Sequence, residues 1–220
     1  MSRKPIDAGR GRIRLATLIV TIAVAACARS GATLPTGAVT GTLQFLERQA
    51  PDTAIGPVVV MLEPVDPTKA RTRPTQQFRV TSGTDNFDPG FVAIGDGDFI
   101  VFANEGAVSH RLFSADLGPD LQIPVGPGDS SAPQQINYTG EVQFFCSLHP
   151  DENFTILATT GVFFSVLDER RRYYVGPLSD GSYRLSIWSP RLQGPVRTLE
   201  VTSGGSSVET IWLDPDLIRR

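Results

Sequence analysis

The 220-residue chain contains only two histidines and two cysteines. Both histidines and one of the cysteines lie within forty residues of one another: His110, then Cys146 and His149. In the run Glu141-Val142-Gln143-Phe144-Phe145-Cys146, a strand period of two puts Val142, Phe144 and Cys146 on one face. Cys146 therefore points inward from a strand end. A Ser147-Leu148 spacer then brings His149 round a short turn, stiffened by Pro150. Thiolate and imidazole at that spacing can converge on one metal ion. His110 follows the run 98–103 and the turn Asn104-Glu105-Gly106, so it joins them if the two strands are neighbours in a sandwich. So few histidines exclude a multinuclear His-rich centre, and a disulfide framework needs more than two cysteines.

The elements that must position these residues read as strands. No segment keeps a helical period, whereas short runs rich in Val, Ile, Phe, Tyr and Thr recur between Gly, Pro, Asp and Asn clusters. Candidate strands are 39–46, 57–63, 77–81, 91–94, 98–103, 141–146, 155–159, 161–166, 182–188, 197–201 and 207–213. The fold class is all-β, with too many strands for one small sandwich. Residues 64–74, rich in Pro and charge, read as a joint. Two alternating sets, Tyr183/Leu185/Ile187 and Val208/Thr210/Trp212, mark strands with one packed and one wet face. Residues 168–172 (Asp-Glu-Arg-Arg-Arg) read as a solvated loop, with docking to an acidic partner as the alternative. Phe113, Phe144 and Phe145 read as core packing that also shields the site. Residues 95–98 form a turn and not a phosphate loop, because no helix follows.

The N-terminus reads as a leader. Arg3, Lys4, Arg10, Arg12 and Arg14 precede a 12-residue apolar run over 15–26, too short to span a bilayer of roughly 30 Å. The run ends in Val24-Ala25-Ala26-Cys27, which resembles a bacterial lipoprotein box. That resemblance implies removal of a signal peptide over 1–26, acylation of Cys27 and a flexible tether over 27–38. The expected location is the periplasm or cell surface, with the protein held to the membrane by its lipid. The mature chain carries 15 basic and 22 acidic side chains, a net charge of -7. Such a surface is a poor match for nucleic acid.

Three further stretches, 91–104, His110-Arg111-Leu112-Phe113-Ser114 and 140–150 ending Cys-Ser-Leu-His-Pro, resemble the cupredoxin family over about 77–159. The resemblance implies a Greek-key sandwich holding one copper ion for electron transfer, with His110, Cys146 and His149 as equatorial ligands. Two imidazoles and one thiolate with a weak axial ligand are the pattern of a blue-copper site. The chain departs from the family at the axial position, where Glu152 stands in place of a methionine, so that the fourth donor is the Glu152 carboxylate or a backbone carbonyl, or the site is three-coordinate. With Glu152 the set equally makes a tetrahedral zinc site, so zinc remains the alternative to copper. The flanking passages 39–43, 58–62 and 179–188 resemble methylamine-utilisation-like periplasmic proteins, in which a cupredoxin is combined with a transthyretin-like or carboxypeptidase-regulatory-like sandwich. This implies an accessory sandwich from 39–66 and 160–215 with the cupredoxin domain, 76–159, inserted. The expected function is one-electron transfer or copper holding with a redox partner protein, and no catalysis of its own. The alternative is a metal-free or zinc-stabilised binding module at the cell envelope.

Overall fold

The computed structural model describes residues 36–45, 55–69, 74–83, 86–194 and 196–213. The leader, Cys27 and residues 70–73 of the joint lie outside them. The described residues are all-β, with seventeen strands and no α-helix. β1 (Gly37–Phe45) and β2 (Val59–Pro64) precede the joint. After it come β3 (Gln77–Ser82), β4 (Phe87–Asp88), β5 (Phe91–Ile94), β6 (Phe99–Asn104) and β7 (His110–Phe113). β8 (Gln122–Val125), β9 (Gln134–Gln135), β10 (Gly140–Cys146) and β11 (Asn153–Ala158) follow. The chain ends through β12 (Phe163–Val166), β13 (Arg172–Leu178), β14 (Gly181–Ser189), β15 (Leu192–Gln193), β16 (Arg197–Val201) and β17 (Ser206–Leu213).

These strands make four sheets. β13-β1-β17 face β12-β2-β14-β15, with β16 also on β14, across a core that includes Val39, Leu43, Leu62, Leu185 and Ile211. β4-β3-β6-β9 face β5-β11-β10-β7-β8 across a second core of Val80, Phe102, Phe144, Phe154 and Ile156. A third, smaller apolar layer joins the two sandwiches: Val59, Met61, Phe164 and Trp188 pack on Phe91, Ala93 and Leu157. In it the Trp188 and Phe91 rings stack with centroids 5.5 Å apart. The four sheets thus form successive layers, and the β13-β1-β17 sheet is the outermost on its side.

Each sandwich is held by the alternation that its strands carry. In β10, Val142, Phe144 and Cys146 are buried while Glu141 and Gln143 face water. In β14, Tyr183, Leu185 and Ile187 point into the first core. β17 has the opposite phase to the one its larger side chains suggest. Ile211 and Leu213 are inside, whereas Val208 and Trp212 are exposed. The parallel pairing with β1 fixes this phase, since it places Ile211 beside the buried Leu43 and Trp212 beside Gln44, and one residue of slip would exchange the faces. Gly41 is required where β1 runs between its partners. A Cβ there would lie 1.8 Å from the Glu209 carbonyl and 2.8 Å from the Tyr173 hydroxyl.

Several expected elements shift. β1 begins at Gly37 with a buried Ala38, so the last two residues of the expected tether are strand. Phe113 and Phe145 are half-buried and pack on each other, centroids 6.0 Å apart, rather than entering the core with Phe144. They fall on the odd phase of their strands, opposite Cys146. The 95–98 turn closes on the Asp98 carboxylate, which accepts from the backbone N–H of Gly95 (2.9 Å) and of Gln76 (2.8 Å).

Candidate metal centre

Strand pairing alone assembles most of the site. β7 lies beside β10, with Leu112 opposite Cys146, so His110 at the start of β7 stands close to the sulfur. The β10–β11 ladder stops at Phe145 and Asn153, which leaves residues 146–152 as one tight loop. Three backbone hydrogen bonds hold it. The Cys146 N–H donates to the Glu152 carbonyl (3.1 Å), the Glu152 N–H to the His149 carbonyl (3.0 Å), and the Ser147 N–H to the Arg111 carbonyl of β7 (2.9 Å). A loop so closed has few conformations left, and both His149 and Glu152 are aimed by it.

His110 is fixed from behind by two residues that the sequence did not single out for this role. The buried Asn104 donates its side-chain amide to the carbonyls of Val108 (2.6 Å) and Val125 (3.2 Å) and accepts from the Gly106 N–H (3.0 Å) and the Ser82 hydroxyl (3.0 Å). It ties the turn before His110 to β8, the neighbour of β7. Phe87 sets its ring edge against the His110 imidazole at 5.6 Å and rests on Phe154 at 5.2 Å. An Asn-x-Gly turn is legible in sequence, but Phe87 sits in a two-residue strand beside Asp-Pro, where no periodicity can show it.

The structure brings all four candidate side chains of the described residues together: the donor atoms of His110, Cys146, His149 and Glu152 lie within 4.8 Å of one another. Cys146 Sγ is 3.7 Å from His110 Nδ1 and 3.6 Å from His149 Nδ1, and the two Nδ1 atoms are 3.3 Å apart. A triangle with those sides has its centre about 2.0 Å from each corner, near the metal–nitrogen bond of about 2.0–2.1 Å and somewhat short of the metal–sulfur bond of about 2.3 Å. Displacement of an ion out of that plane lengthens all three bonds together. Glu152 Oε2 lies 2.8 Å from His110 Nδ1 and 3.4 Å from His149 Nδ1. It is buried and makes no hydrogen bond, because neither approach has hydrogen-bond geometry. A buried carboxylate oxygen without a donor is costly, and a cation at the shared centre removes that cost.

The two imidazoles differ in access. The His110 side chain is 3% exposed and that of His149 is 34% exposed. Cys146 is buried, as is the His110 ring between Phe87 and His149. The arrangement can therefore hold one metal ion through two imidazole nitrogens, one sulfur and one carboxylate oxygen, with His149 the most exposed of the four. Cys27, the expected lipidation site, lies outside the described residues.

No protein-family model matches the chain, and no curated protein sequence does. Among solved structures, the chain is similar to a purple cupredoxin from Nitrosopumilus maritimus, with 19% identity and a TM-score of 0.34 over 37% of this chain and 99% of that one. It is also similar to an amicyanin variant in its Cu(I) form, with 11% identity and a TM-score of 0.33 over 44% of this chain and 91% of the other. A reduced amicyanin variant matches with 10% identity and a TM-score of 0.34 over 44% of this chain and 97% of the other.

Proposed function

We propose that the protein is an exported, lipid-anchored carrier of a single copper ion, working in one-electron transfer or in copper holding. The observation that carries this reading is the triangle of His110 Nδ1, His149 Nδ1 and Cys146 Sγ, whose sides of 3.3–3.7 Å bring all three atoms round one point. Two imidazoles and a thiolate in a trigonal plane are a copper donor set, and bound copper would supply the one-electron couple. The chain's own part is to keep those three atoms in place in either oxidation state. The 146–152 loop, the Asn104 brace and the Phe87 ring do this, since none of them depends on the ion's charge. His149 is then the port through which an electron enters from, or leaves to, a redox partner protein. Glu152 would be the fourth residue to hold the ion, and its negative charge would favour Cu(II) and lower the reduction potential compared with a thioether.

The rest of the reading follows from the leader and from the resemblances. Cys27 carries the lipid at the periplasmic or cell surface. Strands from 39–66 and 160–215 are an accessory sandwich of the transthyretin or carboxypeptidase-regulatory kind, with the copper domain, 76–159, inserted between them. The protein has no catalysis of its own and no nucleic-acid partner. A second reading is favoured by one observation, the buried Oε2 of Glu152. Four donors closed around one point are also a structural zinc site, which would make the protein a zinc-stabilised binding module.

The two metals separate by spectroscopy. Protein loaded with Cu(II) is expected to show an intense visible thiolate-to-copper band that Cys146→Ser abolishes. A colourless protein that retains zinc against Cu(II) would overturn the copper reading in favour of the second.

A further inference from the structure

Among the described residues no layer covers the outer face of the β13-β1-β17 sheet, and its composition is not that of an ordinary wet face. Tyr174 is 60% exposed, Val208 74% and Trp212 53%. Isolated exposed apolar residues are normal; these are gathered by register. Thr40 lies between Tyr174 on β13 and Val208 on β17, Thr42 lies between Arg172 and Thr210, and Gln44 is beside Trp212. The alternation that sends Ile211 and Leu213 inward sends this set outward together.

The face also lacks carboxylates, in a mature chain of net charge -7. The outward positions of the three strands are Thr, Gln, Ser, Val, Trp, Tyr and one Arg. Glu209, on β17, turns away to Arg197 of the opposite sheet, at 2.8 Å. Along the rim, the 168–172 turn sets Arg170, Arg171 and Arg172 against Asp168 and Glu169, an excess of one positive charge, with Arg172 and Asp168 paired at 2.7 Å. Tryptophan and tyrosine at a sheet surface, with arginine beside them and no acid among them, match the chemistry of a lipid headgroup layer, where amphipathic rings and cations concentrate.

The chain's connectivity brings that layer close. β1, the middle strand of this face, is entered from the N-terminal segment, and Cys27 stands ten residues before Gly37. Ten residues reach at most about 33–36 Å. A lipid on Cys27 therefore keeps the start of β1, the middle strand of this sheet, within that reach of the bilayer. We propose that the exposed face of the β13-β1-β17 sheet rests on an anionic lipid bilayer through Trp212, Tyr174 and Val208, so that the outermost layer docks and the metal-bearing sandwich is held on the far side of the stack. This rests on the lipid anchor of the reading above.

The test uses the protein purified from an exporting host, mixed with phosphatidylglycerol/phosphatidylcholine vesicles whose acyl chains are plain or dibrominated. The chain has two tryptophans, and Trp188 is packed between the sandwiches, so lipid quenching reports on Trp212. A loss of about half of the Trp212 emission in brominated vesicles, with a blue shift, is expected. Trp212→Phe should remove the quenchable part, and Val208→Asp, at an exposed position, should weaken it several-fold. The mass of the N-terminal peptide reports acylation of Cys27 separately. Acylated protein that floats with the vesicles while its Trp212 emission is unchanged overturns the docking and leaves the anchor standing. An unacylated Cys27 overturns the anchor, and the same emission still decides the docking. A lipid-free dimer that hides Trp212 and is not quenched overturns it in favour of a second copy.

Discussion

Two short turns in this molecule close their backbones in the same manner and use their acids in opposite ways. In the 168–171 turn between β12 and β13, the Asp168 N–H donates to the Arg172 carbonyl (3.0 Å) and the Arg171 N–H to the Asp168 carbonyl (2.8 Å). The Asp168 carboxylate then accepts from the N–H groups of Arg170 (2.9 Å) and Arg172 (2.8 Å) and from the Arg172 guanidinium (2.8 Å). Its lone pairs are spent on the turn itself. In the 146–152 loop the backbone closes without help from the acid, and Glu152 Oε2 is buried with no donor. The Asp168 carboxylate is satisfied by its own turn, whereas the Glu152 oxygen is left by its own chain without a donor, as the proposed ligand role requires. The sandwiches differ likewise, since one buries His110 beside Cys146 together with Ser82, Asp98, Asn104, Ser114 and Thr159, while the other, among the described residues, buries Ser189.

The comparison can be broken first at the cores. Phe144→Ala, in the metal-bearing sandwich, should cost about 3–5 kcal/mol, and Leu185→Ala, in the other, about 2–5 kcal/mol, both read from denaturant midpoints. The account also expects the loss at Phe144 to weaken metal retention and that at Leu185 to leave it unchanged. Next comes the metal. At free metal a thousandfold above its dissociation constant, loading should raise stability by about 4 kcal/mol, a gain that a chelator removes. Glu152→Gln should shrink that gain, and Asp168→Asn should not touch it; equal effects would erase the distinction between the two turns. Glu152→Met should raise the reduction potential measured by voltammetry, and an unchanged potential removes Glu152 from the ion.

Smaller effects follow from the other turn and from the other core. The backbone N–H and guanidinium of Arg172 hold the Asp168 carboxyl below its ordinary 3.8. A depressed carboxyl adds stability above its unfolded pKa and loses it as pH falls through the folded one. Asp168→Asn should therefore flatten the acid limb of the stability curve slightly, below about pH 4. Tyr173 donates its hydroxyl to the Glu209 carbonyl at 2.8 Å, and burial pushes its pKa up to about 12, with Glu209 adding to the rise against the lowering by Arg197. Its contribution is complete below about pH 10 and is lost as pH rises towards 12. Ultraviolet titration of wild type against Tyr173→Phe reads this directly.

The sequence made the site more legible than its scaffold. Period-two alternation places Cys146 inward and the two-residue spacer brings His149 round to it, whereas Glu152 is legible only through the resemblance to the cupredoxin family. The apolar run 91–94 and the alternating run 197–201 coincide with β5 and β16. β7 was not legible, because its four residues, His-Arg-Leu-Phe, include two charged or polar ones and follow a run of turn formers. β13 was hidden because Arg172, Gly176 and Pro177 interrupt its pattern. The phase of β17 was lost for another reason: its bulkiest residue, Trp212, lies outside, and only the pairing with β1 shows that the smaller Ile211 and Leu213 are the core set. Phe87 and the brace from Asn104 are tertiary facts, set by sheet order rather than by local pattern.

The central claim is that two imidazoles and one thiolate meet on a single copper ion. Copper-edge X-ray absorption of the loaded protein tests it most directly. The account predicts a shell with one sulfur and two imidazole nitrogens, at about 2.0–2.3 Å, and a sulfur contribution that vanishes in Cys146→Ser. A shell of nitrogen and oxygen alone, unchanged by that substitution, would contradict it.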